Sequence, residues 1–235
     1  MSLSKAISFG YSFTLVVVGV LIGLVMALFN YIKNRNKDPP QVSRHRSGLL
    51  ISGLEEGTSL QADLPFHGVR VLELSTVVAG PMAARVMSDL GAEVIKVEDA
   101  KGDPFRNVFC EYEYPRPYGS AFEVCNLGKA SVKLNLKTAE GKAKIMDLLA
   151  DADVFITNVR VDALVRLGLD YESIRDRVPH LTYASLTAYG RDGPDCGLPG
   201  YDVGAFWATT GMSALVQQPN TYVLYPAGFG DLTTG

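Results

Sequence analysis

The stretch VRVLELSTVVAGPMAARVMSDLGAEVIKVE, residues 69–98, contains the pattern that decides the fold class. Residues 69–74 are an apolar run typical of a strand, and residues 81–90 have helical composition. Gly91 suits the position just beyond a helix end, and residues 93–98 form a second apolar run. A strand, a helix and a strand within about thirty residues are typical of a right-handed parallel crossover. The stretch therefore predicts an α/β fold.

The same alternation recurs more loosely downstream. Strand-like runs are predicted at residues 131–136, 154–158 and 181–187, and helices at residues 139–150 and 202–215. The pattern predicts an open, largely parallel sheet with helices on both faces. Because such sheets bind ligands at the carboxyl ends of their strands, the candidate site loops are residues 75–81, 99–118, 158–162 and 187–201.

Composition limits the classes of function. The chain has 235 residues, is 47% hydrophobic and carries a formal net charge of -3, which indicates one good-sized core and gives no general attraction to nucleic acid. The three cysteines and three histidines lack the spacing of a zinc or disulfide framework, so no metal site is predicted. The sequence contains no G-x-G-x-x-G, Walker A, G-x-S-x-G or H-E-x-x-H motif. Because these motifs are absent, the sequence does not indicate hydride transfer, P-loop hydrolysis, serine hydrolysis or zincin chemistry.

An apolar segment lies near the N-terminus. Residues 15–29 have no polar side chain, and a helix over residues 9–32 would measure roughly 36 Å, enough for a hydrocarbon layer of ~30 Å. Five basic residues follow this segment within the next fourteen positions, namely Lys33, Arg35, Lys37, Arg44 and Arg46, whereas Lys5 alone precedes it. We therefore predict a single-pass membrane anchor at residues 1–32 with the following chain on the cytosolic side. The alternatives are a cleaved secretory signal, against which the long apolar run argues, and a buried core helix.

The next segment has neither helical nor strand periodicity. Residues 33–64 are polar and include the helix-breaking sequence Asp38-Pro39-Pro40, which predicts a flexible linker. The globular part is then predicted over residues 65–235.

Seven blocks of the globular part resemble one family. LPFHGVRVLELSTVVAGPMAARVMSDLGAEVIKVEDAKGDPFR is similar to the opening of the family III coenzyme A transferases, which include formyl-CoA transferase, carnitine CoA-transferase and α-methylacyl-CoA racemase. The likeness continues in the family's order through NLGKASVKLNLKTAEGK, ADVFITNVR, LGLDYESI, PHLTYASLTAYGRDGP, PGYDVGAFWATTGMSAL and GFGDLTTG, and it covers residues 64–235. It implies a Rossmann-like large domain, with the C-terminal remainder of the family fold beyond this chain.

The resemblance also implies roles for individual residues. Asp231 matches the nucleophile of the family, and the Tyr201-Asp202 pair matches an aromatic and an acid close to the active site. The positions that match coenzyme A contacts are Val77, Val78, Ala79, Lys137, Asn158, Val159, Arg166 and Leu167. At Asp99 the chain departs from the arginine that transferases often place there, and the candidate substitutes are Lys96, Lys101 and Arg106.

The residue types fit the chemistry. Coenzyme A carries three phosphate groups, which require cations and exposed main-chain N–H groups. A thioester that exchanges its thiol for a carboxylate requires a carboxylate nucleophile, because the mixed anhydride that forms can be attacked in turn. Gly228 and Gly230 before Asp231 allow close backbone approach, so that N–H groups can face the developing oxyanion. Asp202 also suits the N-cap of the following helix.

We therefore expect an enzyme that transfers coenzyme A from an acyl-CoA to a carboxylic acid through a covalent aspartyl intermediate. The expected ligands are acyl-CoA and the acid as substrates, with no permanently bound cofactor, and the resemblance implies an interlocked homodimer. A racemase is one alternative, but racemases place a histidine where Tyr201 stands and no histidine follows His180. The other alternative is an inactive membrane-bound fragment or binding module.

Overall fold

The computed structural model describes residues 64–108, 119–217 and 228–235. The predicted anchor at residues 1–32, and the predicted linker except for its last residue, lie outside the described residues. Within the described ranges, no helix has the length and apolar character needed to cross a bilayer. The membrane anchor and the orientation of the chain therefore stay predictions.

In the described part of the chain, five parallel strands form one sheet. The strands are β1 (Arg70–Leu74), β2 (Glu93–Glu98), β3 (Ala130–Lys133), β4 (Val154–Thr157) and β5 (Thr182–Ser185). They lie in the order β3-β2-β1-β4-β5, and all four neighbouring pairs are parallel. The order reverses at β1, so the loops after β1 and β4 diverge at the point where open α/β sheets form ligand sites.

Helices connect the strands and follow the last one. They are α1 (Ala79–Asp89), α2 (Ser120–Asn126), α3 (Ala139–Asp151), α4 (Val161–Leu167), α5 (Tyr171–Ile174), α6 (Met212–Val216) and α7 (Phe229–Thr234). A 3₁₀ turn at Pro104–Asn107 follows β2, and a π-helical segment at Val203–Ala208 precedes α6. The predicted parallel α/β fold is confirmed over the described residues, and Gly91 ends α1 with a φ of +100° as predicted.

The two faces of the sheet differ in polarity: one packs into an apolar core, and the other carries buried charges. Leu72 pairs with Ile95 and Phe155, and these side chains pack with Leu149 of α3 and Leu164 of α4 into an apolar core. Successive side chains of a strand point to opposite faces, so the residues next to them face the other side. That side carries the buried charges of Glu73 and Lys96 and is covered by α1.

Two predicted elements differ from the structure. The helix predicted at residues 202–215 is interrupted, because the hydroxyls of Thr209 and Thr210 donate to the main-chain carbonyls of Gly204 and Phe206, and Gly211 adopts a φ of +76°. The strand predicted at residues 131–136 ends at Lys133. Leu134 still donates its N–H to the carbonyl oxygen of Glu98, the chain turns at residues 136–138, and the Thr138 hydroxyl caps α3 by accepting from the N–H of Gly141.

Candidate active site

A cleft of about 690 Å³ lies beyond the carboxyl ends of β4 and β5. Its walls come from the loops after these two strands, from the π-helical segment and from α7. The lining residues that matter for chemistry are Ala79, Asn158, Arg160, Tyr201, Asp202 and Asp231. Loops that are far apart in the sequence therefore meet at one edge of the sheet, as the topology predicts.

Asp231 is a half-buried carboxylate in this cleft. It belongs to the first turn of α7, and its N–H donates to Asp202 Oδ1 over 3.1 Å. Burial raises the pKa of the Asp231 carboxyl above its ordinary value of 3.8, and the negative charge of Asp202 raises it further. A carboxylate with a raised pKa is a stronger base and a better nucleophile when it is ionised.

Asp202 is buried, with 7% of its surface exposed, and joins two elements. Its Oδ1 accepts the N–H of Asp231, and its Oδ2 accepts the indole Nε1–H of Trp207 over 3.2 Å. Asp202 occupies the predicted N-cap position of the π-helical segment, but its side chain makes no capping hydrogen bond there. Its carboxylate instead fixes the main chain that carries Asp231.

The glycines around Asp231 serve packing and backbone geometry. A Cβ at Gly230 would overlap Asp202 Oδ1 and the ring of Phe206, so α7 could not approach Asp202 with any larger residue there. Gly228 precedes α7 with a φ of +76°, a conformation that favours glycine. The N–H of Asp231 is engaged with Asp202, and the predicted donation of glycine N–H groups to an oxyanion stays a prediction.

The loop after β1, residues 75–78, contains a strained residue. Val77 has a φ of +70°, and it is the one non-glycine residue with positive φ in the described part of the chain. Its N–H donates to Asp103 Oδ1 over 3.2 Å. The neighbouring Thr76 exchanges two hydrogen bonds with the side chain of Asn158, over 2.9 and 2.7 Å. The loop is thus held from β4 and from the segment after β2.

The structure brings some of the predicted coenzyme A contacts together. Ala79 and Asn158 line the cleft with Asp231, and Val78 is buried next to Ala79. The remaining residues, Val77, Lys137, Val159, Arg166 and Leu167, do not line the cleft. Lys137 is exposed in the loop after β3, and Arg166 is exposed on α4 with its Nη1 2.9 Å from Asp162 Oδ2.

Two of the three candidate substitutes for the arginine at position 99 are occupied by ion pairs. Lys96 is 1% exposed and contacts Glu73 and Asp103, so it cannot reach a ligand. Arg106 forms a two-pronged pair with Glu98. Burial by itself would raise the pKa of Glu98, but hydrogen bonds from Arg106, from the N–H of Asp103 and from Ser131 lower it to about 2. Lys101 is exposed and is the substitute that the structure leaves accessible.

Two features of the site were not predicted from the sequence. Arg160 lines the cleft and lies 3.2 Å from Asp162, and its place two residues after Asn158 at the end of β4 could have identified it. A cluster of buried charges also lies beneath the β1 loop, at Glu73, Lys96, Asp103 and Lys129. Glu73 and Lys96 lie in β1 and β2, whereas Asp103 and Lys129 lie outside the strands, so no local pattern of the sequence indicated that the four charges meet.

The fold and the cleft define an α/β protein with a parallel five-stranded sheet and a half-buried carboxylate at its carboxyl edge. Residues 66–235 match the family described as CoA-transferase family III, and the chain belongs to this family. The predicted family is thereby confirmed.

Several relatives are similar to this chain. It is 41% identical over 158 residues to a cinnamoyl-CoA:phenyllactate CoA-transferase of Clostridium sporogenes, a match that covers 66% of this chain and 38% of the relative. It is 39% identical over 172 residues to an (R)-2-hydroxy-4-methylpentanoate CoA-transferase of Clostridioides difficile, with coverage of 72% and 43%. A crystal structure of a CAIB/BAIF family protein from Brucella suis matches with a TM-score of 0.67 and 34% identity, over 72% of this chain and 45% of that one. The chain thus spans less than half the length of these three relatives.

Proposed function

We propose that this chain carries the acyl-CoA site and the nucleophile of a family III coenzyme A transferase. The enzyme would move coenzyme A from an acyl-CoA thioester to a carboxylic acid, and Asp231 would form the covalent intermediates. The single observation that carries the proposal is that Asp231 shares one cleft with Ala79 and Asn158, two of the residues expected to contact coenzyme A.

The reaction balances with one carboxylate and no external base. Asp231 attacks the acyl carbon of the donor thioester, the carbon–sulfur bond breaks, and a mixed anhydride and the coenzyme A thiolate form. The thiolate then attacks the aspartyl carbonyl, which releases the donor acid and leaves an aspartyl-CoA thioester. The acceptor carboxylate attacks this thioester to give a second anhydride, and the thiolate attacks its acyl carbon. The products are the new acyl-CoA and the free carboxylate of Asp231.

The surroundings of Asp231 support this role. Partial burial makes the carboxylate less solvated and more reactive, and its raised pKa agrees with this. The hydrogen bond from its N–H to Asp202 fixes α7 while the side chain lines the cleft. Limited access of water also protects an anhydride from hydrolysis.

A racemase is less well supported. Two-base racemisation requires a second proton-transfer group beside the substrate, and histidine is the usual one. The described residues that line the cleft include no histidine, and Tyr201 is 79% exposed at the position where racemases place one. The homodimer and the membrane attachment remain predictions about the whole protein.

The test of the proposal is Asp231→Asn in the full-length protein. The amide keeps the shape but lacks the attacking charge, so we expect kcat to fall by about three or more powers of ten while coenzyme A affinity stays within about threefold. Suitable acceptors are phenyllactate and 2-hydroxy-4-methylpentanoate, the acids in the names of two relatives. Wild-type protein that is incubated with acyl-CoA and quenched with hydroxylamine or borohydride should carry the modification at Asp231.

Asp192→Asn provides the control, because Asp192 is an exposed carboxylate in the loop after β5 and does not line the cleft. It should retain wild-type turnover. Near-normal turnover in Asp231→Asn would overturn the assignment, and a modification on Asp202 would transfer it to that residue.

A further inference from the structure

Four charged side chains form a buried ion cluster beneath the β1 loop, and the proposed reaction uses none of them. Lys96 Nζ lies 2.7 Å from Glu73 Oε1 and 3.0 Å from Asp103 Oδ2, and Lys129 Nζ lies 2.7 Å from Glu73 Oε2. Each of these side chains is at most 1% exposed. Buried ions seldom add to stability compared with apolar residues of the same volume, so such a cluster invites a search for another role.

The cluster contacts the β1 loop directly. Lys96 Nζ donates to the carbonyl oxygen of Ser75 over 2.9 Å, and the Ser75 hydroxyl donates to Glu73 Oε1 over 2.7 Å. Asp103 Oδ1 accepts the N–H groups of both Val77 and Phe105, over 3.2 and 2.9 Å. The other oxygen, Oδ2, makes no directed hydrogen bond in the described part of the chain, and the charge of Lys96 holds it.

Val77 is the residue in this loop that needs an external restraint. A β-branched side chain disfavours a φ of +70°, so the turn at Val77 persists only if its surroundings stabilise it. Asn158 fixes Thr76 on one side, and Ala79 begins α1 on the other. In the described part of the chain, the carboxylate of Asp103 is the acceptor that holds the N–H of Val77 itself.

We propose that Asp103 is a positioning residue that holds Val77 in the left-handed conformation and thereby sets the position of Ala79, which lines the cleft with Asp231, for the coenzyme A thioester. Lys96 and the N–H groups of Val77 and Phe105 orient the two carboxylate oxygens. The position of Asp103 is set in turn by its own N–H, which donates to Glu98 Oε2 over 2.9 Å. The ligand in this statement rests on the proposed function, whereas the restraint on Val77 does not.

A double-mutant cycle separates this role from a general contribution to stability. Asp103→Ala and Val77→Gly are measured singly and together by urea unfolding of the full chain. Glycine adopts a φ of +70° without strain, so it removes the need for the restraint. The loss of a partner for Lys96 is the same in both backgrounds and cancels in the cycle. We expect Asp103→Ala to destabilise the Val77→Gly background clearly less than the wild type.

Val78→Gly is the matched control for the cycle. Val78 adjoins Val77 but has a φ of -124°, which is an ordinary value, so its effect should add to that of Asp103→Ala. Equal effects of Asp103→Ala in the wild-type and Val77→Gly backgrounds would overturn the proposal. If the single variant Asp103→Ala does not fold but the double variant with Val77→Gly does, the proposal is supported, because glycine has then removed the need for the restraint.

Binding of free coenzyme A, measured by calorimetry, is the second readout. Asp103→Ala should weaken binding about tenfold, and Asp103→Asn, which keeps an oxygen to accept the N–H of Val77, should bind within about threefold of wild type. A tenfold loss of affinity in Asp103→Asn relative to the wild type would overturn the positioning role, and this comparison needs no folded Ala variant. If the wild type does not bind coenzyme A, the proposed ligand fails, and the unfolding cycle still decides the restraint on Val77.

Discussion

At the scale of single residues, Asp202 acts on Asp231 in two separable ways. Its Oδ1 accepts the N–H of Asp231, which is a geometric role, and its charge lies close enough to raise the pKa of the Asp231 carboxyl in addition to the effect of burial. An asparagine at position 202 can retain the first role and must lose the second. The two contributions can therefore be measured apart.

We predict that Asp202→Asn moves the acidic limb of the kcat/KM profile to lower pH. Asp231 attacks only when it is ionised, and removal of the negative charge lowers the pKa that Asp202 had helped to raise, so the active form persists to lower pH. The other charged residues that line the cleft, Arg160 and Asp162, are unchanged in the variant. The measurement is the pH dependence of transfer in the full-length protein.

Trp207→Phe is the matched control for this shift. It removes the indole donor to Asp202 Oδ2 and leaves both carboxylates in place. Its turnover should fall because the α7 support is weakened, but the acidic limb should keep the wild-type position. An acidic limb that does not move in Asp202→Asn would contradict an electrostatic coupling of the two acids.

The Asp202–Asp231 pair also illustrates what the sequence can reveal about a site. Family motifs identified both residues, but the part that Asp202 plays depends on contacts between residues 29 positions apart in the chain. From sequence alone, the acid before a predicted helix suggested an N-cap. The structure shows that the helix is π-helical and that the carboxylate of Asp202 accepts from Asp231 and Trp207 and not from the first main-chain N–H groups of the helix.

At the scale of elements, the pairing of β1 and β2 explains why the charges could not be predicted. Glu73 and Lys96 are register partners in neighbouring parallel strands, so opposite charges lie side by side on one face. The strands themselves are predictable because apolar runs and turn residues are local signals. Register and the contents of each face depend on the pairing of distant segments, which no local pattern contains.

The C-terminal end of β2 supplies a prediction about stability and pH. Glu98 has a pKa of about 2 in the folded protein against an ordinary value of 4.5. A lowered pKa means that the ionised form stabilises the fold above about pH 4.5, and that this contribution is lost as the pH falls toward 2. The difference corresponds to at most about 3 kcal/mol of unfolding free energy.

Glu98→Gln should therefore be less stable than the wild type at neutral pH, and the difference should shrink as the pH falls from 4.5 to 2. Urea unfolding across this range measures it. Glu140→Gln, which removes an exposed carboxylate from α3, serves as the matched control. A constant difference between Glu98→Gln and wild type at all pH values would contradict the assigned ion pair with Arg106.

At the scale of the whole molecule, the described residues contain one parallel sheet with its cleft at the carboxyl edge. The order of elements in the sequence was enough to predict this placement, since parallel crossovers bring the strand ends to one edge. The α7 helix follows residues 218–227, which are outside the described ranges, and it packs against α1. The family motif, and no local periodicity, identified Asp231 in that helix.

The N-terminal segment gives the last prediction, which concerns where the protein resides. Residues 15–29 are free of polar side chains and are followed by a basic cluster, so the full chain should stay with membranes and expose the cleft-bearing part to the cytosol. Each Leu, Ile, Val or Phe near the centre of a spanning helix favours insertion by about 0.3 to 0.6 kcal/mol, and the run of such residues adds up, so alkaline carbonate should not extract the chain. A variant that lacks residues 1–32 is the control, and it should be released. Extraction of the full chain would contradict the anchor, and protection of residues 65–235 from added protease in sealed vesicles with the cytosolic side outward would contradict the orientation.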